Sequence, residues 1–85
     1  MKEITQEMLD SLLRAYRRLD ERSDKLMNQA EEATRRGDKE ECAKKGKKAE
    51  ALVDQMIGMV DAVHCIGYDF VCQDGEQIIV EREDE

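Results

Sequence analysis

The sequence lacks the residues that interrupt helices and has few of those that build large cores. Its 85 residues include no proline and no tryptophan, and only 4% are aromatic, whereas 41% are charged. Proline kinks or ends a helix, so its absence leaves long helices uninterrupted by this residue. A chain of this length buries only a modest core. These absences favour one small helix-rich domain that spans residues 1–85.

Long apolar runs and a cysteine framework are also missing. No segment approaches the roughly 20 apolar residues that a membrane span needs, and residues 1–5 do not resemble a signal peptide. The cysteine count is three, an odd number. Without a secretory signal, this favours free thiols in a reducing compartment over disulfides. We therefore expect a cytoplasmic protein that does not bind membranes.

A chain reversal is predicted at Arg35-Arg36-Gly37-Asp38. Glycine after two cations is typical of a helix C-terminus, where glycine takes the left-handed position and cations face the negative end of the dipole. Asp38 is followed three residues later by Glu41, the pattern of a capping box that starts the next helix. One helix then ends and another begins within two residues. This requires an antiparallel helical hairpin.

Both predicted helices carry an apolar seam with alternating steps of three and four residues, the spacing of a coiled coil. In helix 1, about 6–36, the seam is Leu9, Leu12, Tyr16, Leu19, Ser23, Leu26, Ala30 and Ala33. In helix 2, about 39–66, it is Cys42, Gly46, Ala49, Val53, Met56, Val60 and Val63. Folding the chain at Gly37 pairs small residues near the turn and bulky residues far from it.

The C-terminal third has a β pattern. Two β-prone runs, 68–72 and 77–81, flank Asp74-Gly75, which is a strong signal for a type I′ hairpin. We predict a β-hairpin over about 68–82 and an acidic tail at 83–85. The expected fold class is mainly α (α+β), with a long antiparallel helical hairpin followed by a C-terminal β-hairpin.

The end of the helix pair far from Gly37, here called the open end, carries more apolar residues than one facing helix can cover. A two-stranded hairpin is marginal by itself, so we expect it to pack at this end. A second copy of the chain would bury the remaining apolar side chains. The sequence therefore predicts a homodimer with the interface residues Met8, Leu13, Tyr16, Ile57 and Met59.

His64, Cys65 and Cys72 are the residue types that bind zinc. His64 and Cys65 are neighbours on a helix and point about 100° apart, and Cys42 lies some 30 Å from Cys65 along helix 2. No further group completes four ligands, and no oxyanion donor accompanies a Cys–His pair. We predict no catalytic residue, no metal and no cofactor, and keep a His/Cys metal or redox protein as a minor alternative.

The longest basic run is Lys44-Lys45-Gly46-Lys47-Lys48. On a helix these lysines spread around the surface, with acidic residues nearby in the sequence. They are not accompanied by aromatic residues that stack on bases. We interpret the run as a solvated face and expect no direct binding of nucleic acid.

The net charge of −7 is confined to the last third, where residues 57–85 hold eight acidic residues and one basic residue, Arg82. Acidic termini keep small proteins soluble, which is one explanation. The other is that carboxylates on a rigid β-hairpin attract a basic partner and bind its groove. The candidate partner-binding residues are Asp69, Asp74, Glu76, Glu81, Glu83 and Asp84.

These features predict a small non-enzymatic interaction protein, an acidic inhibitor or modulator of a larger basic, nucleic-acid-binding protein. In general character it is similar to the small acidic inhibitors of phages and mobile elements, including anti-CRISPR proteins, although no motif is shared. The alternative is a self-assembling scaffold or oligomer that sequesters a small ligand. Its pocket would lie at subunit junctions near Tyr16, His64, Tyr68 and Phe70.

Overall fold

The computed structural model of the chain describes residues 4–82. It consists of helix α1 (Gln6–Arg35), helix α2 (Lys39–Cys65), strand β1 (Tyr68–Gln73) and strand β2 (Glu76–Glu81). The two helices pack against each other, and the strands form a two-stranded antiparallel sheet. The predicted fold class is therefore confirmed. The predicted acidic tail, which includes Glu83 and Asp84, lies outside the described residues.

The chain reverses at Gly37, as predicted. Gly37 has a φ of 77°, and its N–H donates to the Thr34 carbonyl at 3.0 Å. The Asp38 N–H donates to the Ala33 carbonyl at 2.8 Å, which completes a Schellman motif. The Asp38 side chain then caps α2 by accepting from the Glu41 N–H at 3.0 Å. Because the Asp38 N–H is already donated to Ala33, the predicted capping box forms only its first bond.

The seam predicted in α1 faces the core. Leu9 and Ala33 are buried near the two ends of the helix, and Ser23 is buried between them with 4% of its surface exposed. The intervening seam positions are half-buried. The polar Ser23 therefore occupies a true core position.

The seam predicted in α2 is only partly correct. Leu52 is 7% exposed and Met59 is half-buried, whereas the predicted Val53 and Val60 are 38% and 37% exposed. The buried line thus passes through the residues before Val53 and Val60, and it coincides with the predicted seam at Ala49 and Val63, which are 4% and 1% exposed. A step of three from Ala49 reaches Leu52 and a step of four reaches Val53, so spacing alone does not distinguish them. Burying leucine removes more apolar area from water than burying valine.

The β-hairpin folds as predicted around Asp74 and Gly75, whose φ angles of 53° and 79° are those of a type I′ turn. Its register pairs Tyr68 with Glu81 and Gln73 with Glu76. Strand β1 contacts α2 and strand β2 contacts α1 of the same chain. The hairpin therefore packs on its own helices.

Candidate functional site

The contacts of helix α1 with the β-hairpin include a hydrogen bond and an aromatic stack. The guanidinium Nη2 of Arg17 donates to the backbone carbonyl of Gln77 at 2.6 Å. One residue earlier, the ring of Tyr16 stacks on Phe70 with the ring centroids 4.3 Å apart and the planes 25° apart. Such offset pairs stabilise beyond their apolar area. These contacts fix the hairpin at the open end of the helix pair.

His64 attaches the hairpin to helix α2. Its Nδ1 lies 3.0 Å from Asp69 Oδ1 on β1, and its Nε2 lies 2.6 Å from Arg82 Nη1, just after β2. A guanidinium only donates, so Nε2 accepts this bond, and the tautomer that satisfies both contacts carries its proton on Nδ1. That N–H then donates to Asp69. Both ring nitrogens are therefore used in joining α2 to the base of the hairpin.

The thiols considered for a metal or redox site do not converge. Cys65 and Cys72 are exposed, and Cys42 lies near the opposite end of the helix pair. Cys42 Sγ is 3.0 Å from Thr34 Oγ1, which itself donates to the Ala30 carbonyl. Within residues 4–82, no three His, Cys, Asp or Glu side chains are grouped so that they could hold a metal ion.

The predicted acidic surface is divided between the two ends of the hairpin. Asp74 lies in the turn and Glu76 begins β2, and both are exposed at the tip. Glu81 ends β2 at the base, and the pairing register places it on the opposite face from Glu76. Asp69 is bound to His64. Asp74 and Glu76 therefore form an exposed pair of carboxylates at the tip.

The predicted dimer-interface residues are spread around the open end. Met8 and Ile57 are 47% and 53% exposed, whereas Leu13 and Met59 are half-buried. Ile57 and Met59 are two residues apart on one helix and point roughly 160° apart. Tyr16 is covered by Phe70. Met8 and Ile57 are thus the members of this set with the most free apolar surface.

The residues suggested for a small-ligand pocket lie close together but contact one another. Tyr16 stacks on Phe70, and His64 is held between Asp69 and Arg82. Tyr68, which precedes Asp69 on β1, is half-buried. The contacts of Tyr16, Phe70 and His64 attach the hairpin to the helices.

A surface that the sequence analysis did not identify lies between the helices near the turn. It is a groove of about 440 Å³, called the apolar groove. Its lining residues are Met27, Ala30, Glu31 and Thr34 of α1 and Cys42, Gly46, Ala49, Glu50 and Val53 of α2. The sequence does contain a pattern that indicates this groove. Gly46 and Val53 are seven residues apart and so lie on one face of α2, and on α1 the apolar Met27 directly follows the seam residue Leu26.

A second groove follows the other side of the same helix pair and has the opposite charge. This basic groove, of about 500 Å³, is lined by Arg22, Lys25, Leu26, Gln29, Lys48, Ala51 and Leu52. Its charged lining residues are all cations, whereas those of the apolar groove, Glu31 and Glu50, are both carboxylates. The helix pair therefore presents an apolar and acidic side and a basic side.

Residues 4–82 contain no helix with enough consecutive apolar residues to cross a lipid bilayer. Exposed surfaces within residues 4–82 include the hairpin tip, the apolar residues Met8 and Ile57 of the open end and the two grooves. Comparisons with protein-family models, with curated proteins and with solved structures find no match for the chain.

Proposed function

We propose that this chain is a small non-enzymatic interaction protein that binds a larger basic protein and blocks or modulates it. The observation that carries the proposal is the exposed pair of carboxylates, Asp74 and Glu76, at the tip of a hairpin anchored to both helices. A nucleic-acid-binding protein is the partner class that fits best, because its groove is built for a phosphate backbone. Inhibitors that phages direct against host defences, such as anti-CRISPR proteins, work in this general way.

Anchoring matters because it reduces the cost of binding. A free two-stranded hairpin would have to be ordered when it meets its partner. Here Arg17 and the stacked Tyr16 and Phe70 hold it in place beforehand. The net charge of −7 adds long-range attraction toward a cationic surface. Both effects favour fast association that weakens as salt increases.

The proposal places the protein in the cytoplasm. Cys42, Cys65 and Cys72 are free thiols, and free thiols persist in reducing compartments. A partner that handles nucleic acid works in the same compartment. The chain itself is not proposed to bind nucleic acid, since its charge would repel the phosphate backbone.

Charge removal at the hairpin tests the proposal. The triple variant Asp74→Asn, Glu76→Gln and Glu81→Gln should bind the captured partner at least about tenfold more weakly, because close charge pairs at interfaces are each worth about 1.5 kcal/mol or more. Its affinity should also depend less on salt. Isothermal titration calorimetry at two salt concentrations measures both quantities.

A matched variant controls for net charge alone. Glu21→Gln, Glu32→Gln and Glu40→Gln remove the same three charges from exposed helix positions away from the hairpin. Partner affinity should change little in this protein. If the two triple variants bind equally well, the hairpin carboxylates do not form the binding surface.

A self-assembling oligomer is the second candidate function. It is supported by the exposed apolar surface of Met8 and Ile57, which a second copy would cover. Light scattering over a concentration series distinguishes the two candidates. A constant monomer mass would exclude the oligomer, whereas a stable higher mass with no captured basic protein would favour it.

A further inference from the structure

One side of the helix pair carries the β-hairpin at the open end, and no described element packs on it near the turn. On α1, Tyr16 lies three helical turns before Met27 on the same line, and Tyr16 is covered by the β-hairpin. On α2, Val53, Val60 and His64 follow one line, and His64 is bound to the hairpin while Val60 is 37% exposed. Met27 and Val53 remain 57% and 38% exposed. The apolar groove therefore lies on the same side of the helix pair as the β-hairpin, nearer the turn.

The dimensions of the apolar groove suit one α-helix. It extends over three turns of α2, about 17 Å at 1.5 Å per residue. Its lining combines the small residues Ala30, Gly46 and Ala49 with the larger Met27 and Val53. Small lining residues let the backbone of another helix approach closely, while larger side chains contact its apolar face. Such a groove accepts the apolar stripe of an amphipathic helix.

The charges at the groove define the polar flanks of that helix. Glu31 on α1 and Glu50 on α2 are exposed and stand on different helices. Among the described residues that line the groove, they are the only charged ones. A helix seated between them meets one carboxylate on each flank. Lysine or arginine beside the apolar stripe complements both.

A second copy of this chain does not fit these requirements. Two apolar grooves packed face to face would bring Glu31 and Glu50 of both copies together, and like charges at an interface destabilise it. The basic groove has the complementary charge, but it cannot fill an apolar groove. Of its larger apolar lining residues, Leu52 is buried and Leu26 is half-buried.

We propose that the apolar groove binds an amphipathic helix of a partner protein, with an apolar stripe bordered on both flanks by lysine or arginine. The inference rests on the proposed function because it takes the chain to bind a basic protein. It names a second contact surface on that partner, on the helix pair rather than on the β-hairpin. The bound helix would complete a three-helix arrangement with α1 and α2.

The probe is a synthetic helical peptide of about four turns with a leucine stripe and lysine flanks. A second peptide keeps the leucine stripe but has glutamate flanks, and a third keeps the lysines with the leucines scattered. Amide chemical shifts of the full chain, titrated with each peptide, report affinity and location. We expect binding of the first peptide alone, with the largest shifts at Ala30, Gly46, Ala49 and Val53.

Two glycine variants give a matched pair. Gly46 lies in the groove, and a Cβ there meets no atom within 4 Å. Gly46→Leu should fill the groove and weaken the peptide about tenfold, the equivalent of 1.4 kcal/mol. Gly58 also lies in α2, has equally open space at its Cβ and is outside the groove. Gly58→Leu should bind as wild type does. Replacing a helical glycine stabilises the helix, so both variants should stay folded.

Charge selection has its own test. Glu31→Gln with Glu50→Gln should abolish the preference for lysine flanks while leaving the leucine stripe bound. Equal binding of lysine-flanked and glutamate-flanked peptides by the wild type would overturn the proposed chemistry. Shifts outside the groove, no binding at all, or self-association that perturbs the groove residues would overturn the proposed occupant.

The hairpin triple variant separates this inference from the proposed function. It leaves the groove intact, so it should bind the lysine-flanked peptide normally. If Gly46→Leu keeps the basic protein partner while the hairpin variant loses it, the proposed function stands and the groove inference fails. If the hairpin variant keeps the partner and Gly46→Leu loses it, the groove is the contact surface and the hairpin is not.

Discussion

At the scale of single residues, two neighbours determine where the chain reverses. Gly37 supplies the left-handed backbone conformation that ends α1, and Asp38 supplies the side-chain acceptor that starts α2. Neither role depends on distant parts of the chain, because every bond involved is within five residues. This local character is the reason that the turn could be predicted from the sequence.

Gly37→Ala should lower the free energy of unfolding by about 1 kcal/mol. The cause is the backbone, since a side chain at φ 77° costs about 1–2 kcal/mol while space for the Cβ is open. The reduced flexibility of the unfolded chain offsets part of that cost. Urea denaturation measures the change. Gly46→Ala, at a helical glycine with the same open space, should instead stabilise by up to about 1 kcal/mol. Equal effects at both glycines would contradict this account of the turn.

At the scale of secondary-structure elements, the sequence predicts those features that depend on a local pattern. The two helices, the type I′ turn and the α1 seam could all be predicted. The α2 seam could not be predicted fully, because Leu52 and Val53 fit the heptad spacing equally well. Because Leu52 is buried rather than Val53, Val53 and Gly46 remain at the surface and line the apolar groove.

The contacts by which the hairpin packs on the helices could not be predicted from the sequence either. Arg17 and Gln77 are sixty residues apart in the chain, and no local pattern connects them. Its residue type makes His64 a candidate metal ligand, whereas its contacts with Asp69 and Arg82 make it a link between elements. Residue type pointed to the right position but not to its role.

A double-mutant cycle on the aromatic pair tests how the hairpin is held. Tyr16→Leu and Phe70→Leu keep apolar bulk but remove the stacked rings. The coupling energy between the two substitutions should be about 0.5–1.5 kcal/mol, as for other aromatic pairs. Urea denaturation of the wild type, both single variants and the double variant provides this value. Strictly additive effects would mean that the stack does not anchor the hairpin.

At the scale of the whole molecule, charge is separated between sides and ends. Carboxylates border the apolar groove and the hairpin tip, while Arg22, Lys25 and Lys48 line the basic groove on the other side. A basic partner is therefore drawn toward one side of an elongated molecule of 52 × 27 × 25 Å. The proposed function and the further inference both place the partner there.

A pull-down from a bacterial lysate at low and high salt shows whether the hairpin carboxylates bind a basic protein. The tagged wild type, the hairpin triple variant and the matched helix variant are compared, and captured proteins are identified by mass spectrometry. We expect the wild type and the helix variant to capture one basic protein at low salt. High salt and the hairpin variant should each abolish that capture. Capture that is independent of both salt and the hairpin carboxylates would contradict the proposed function.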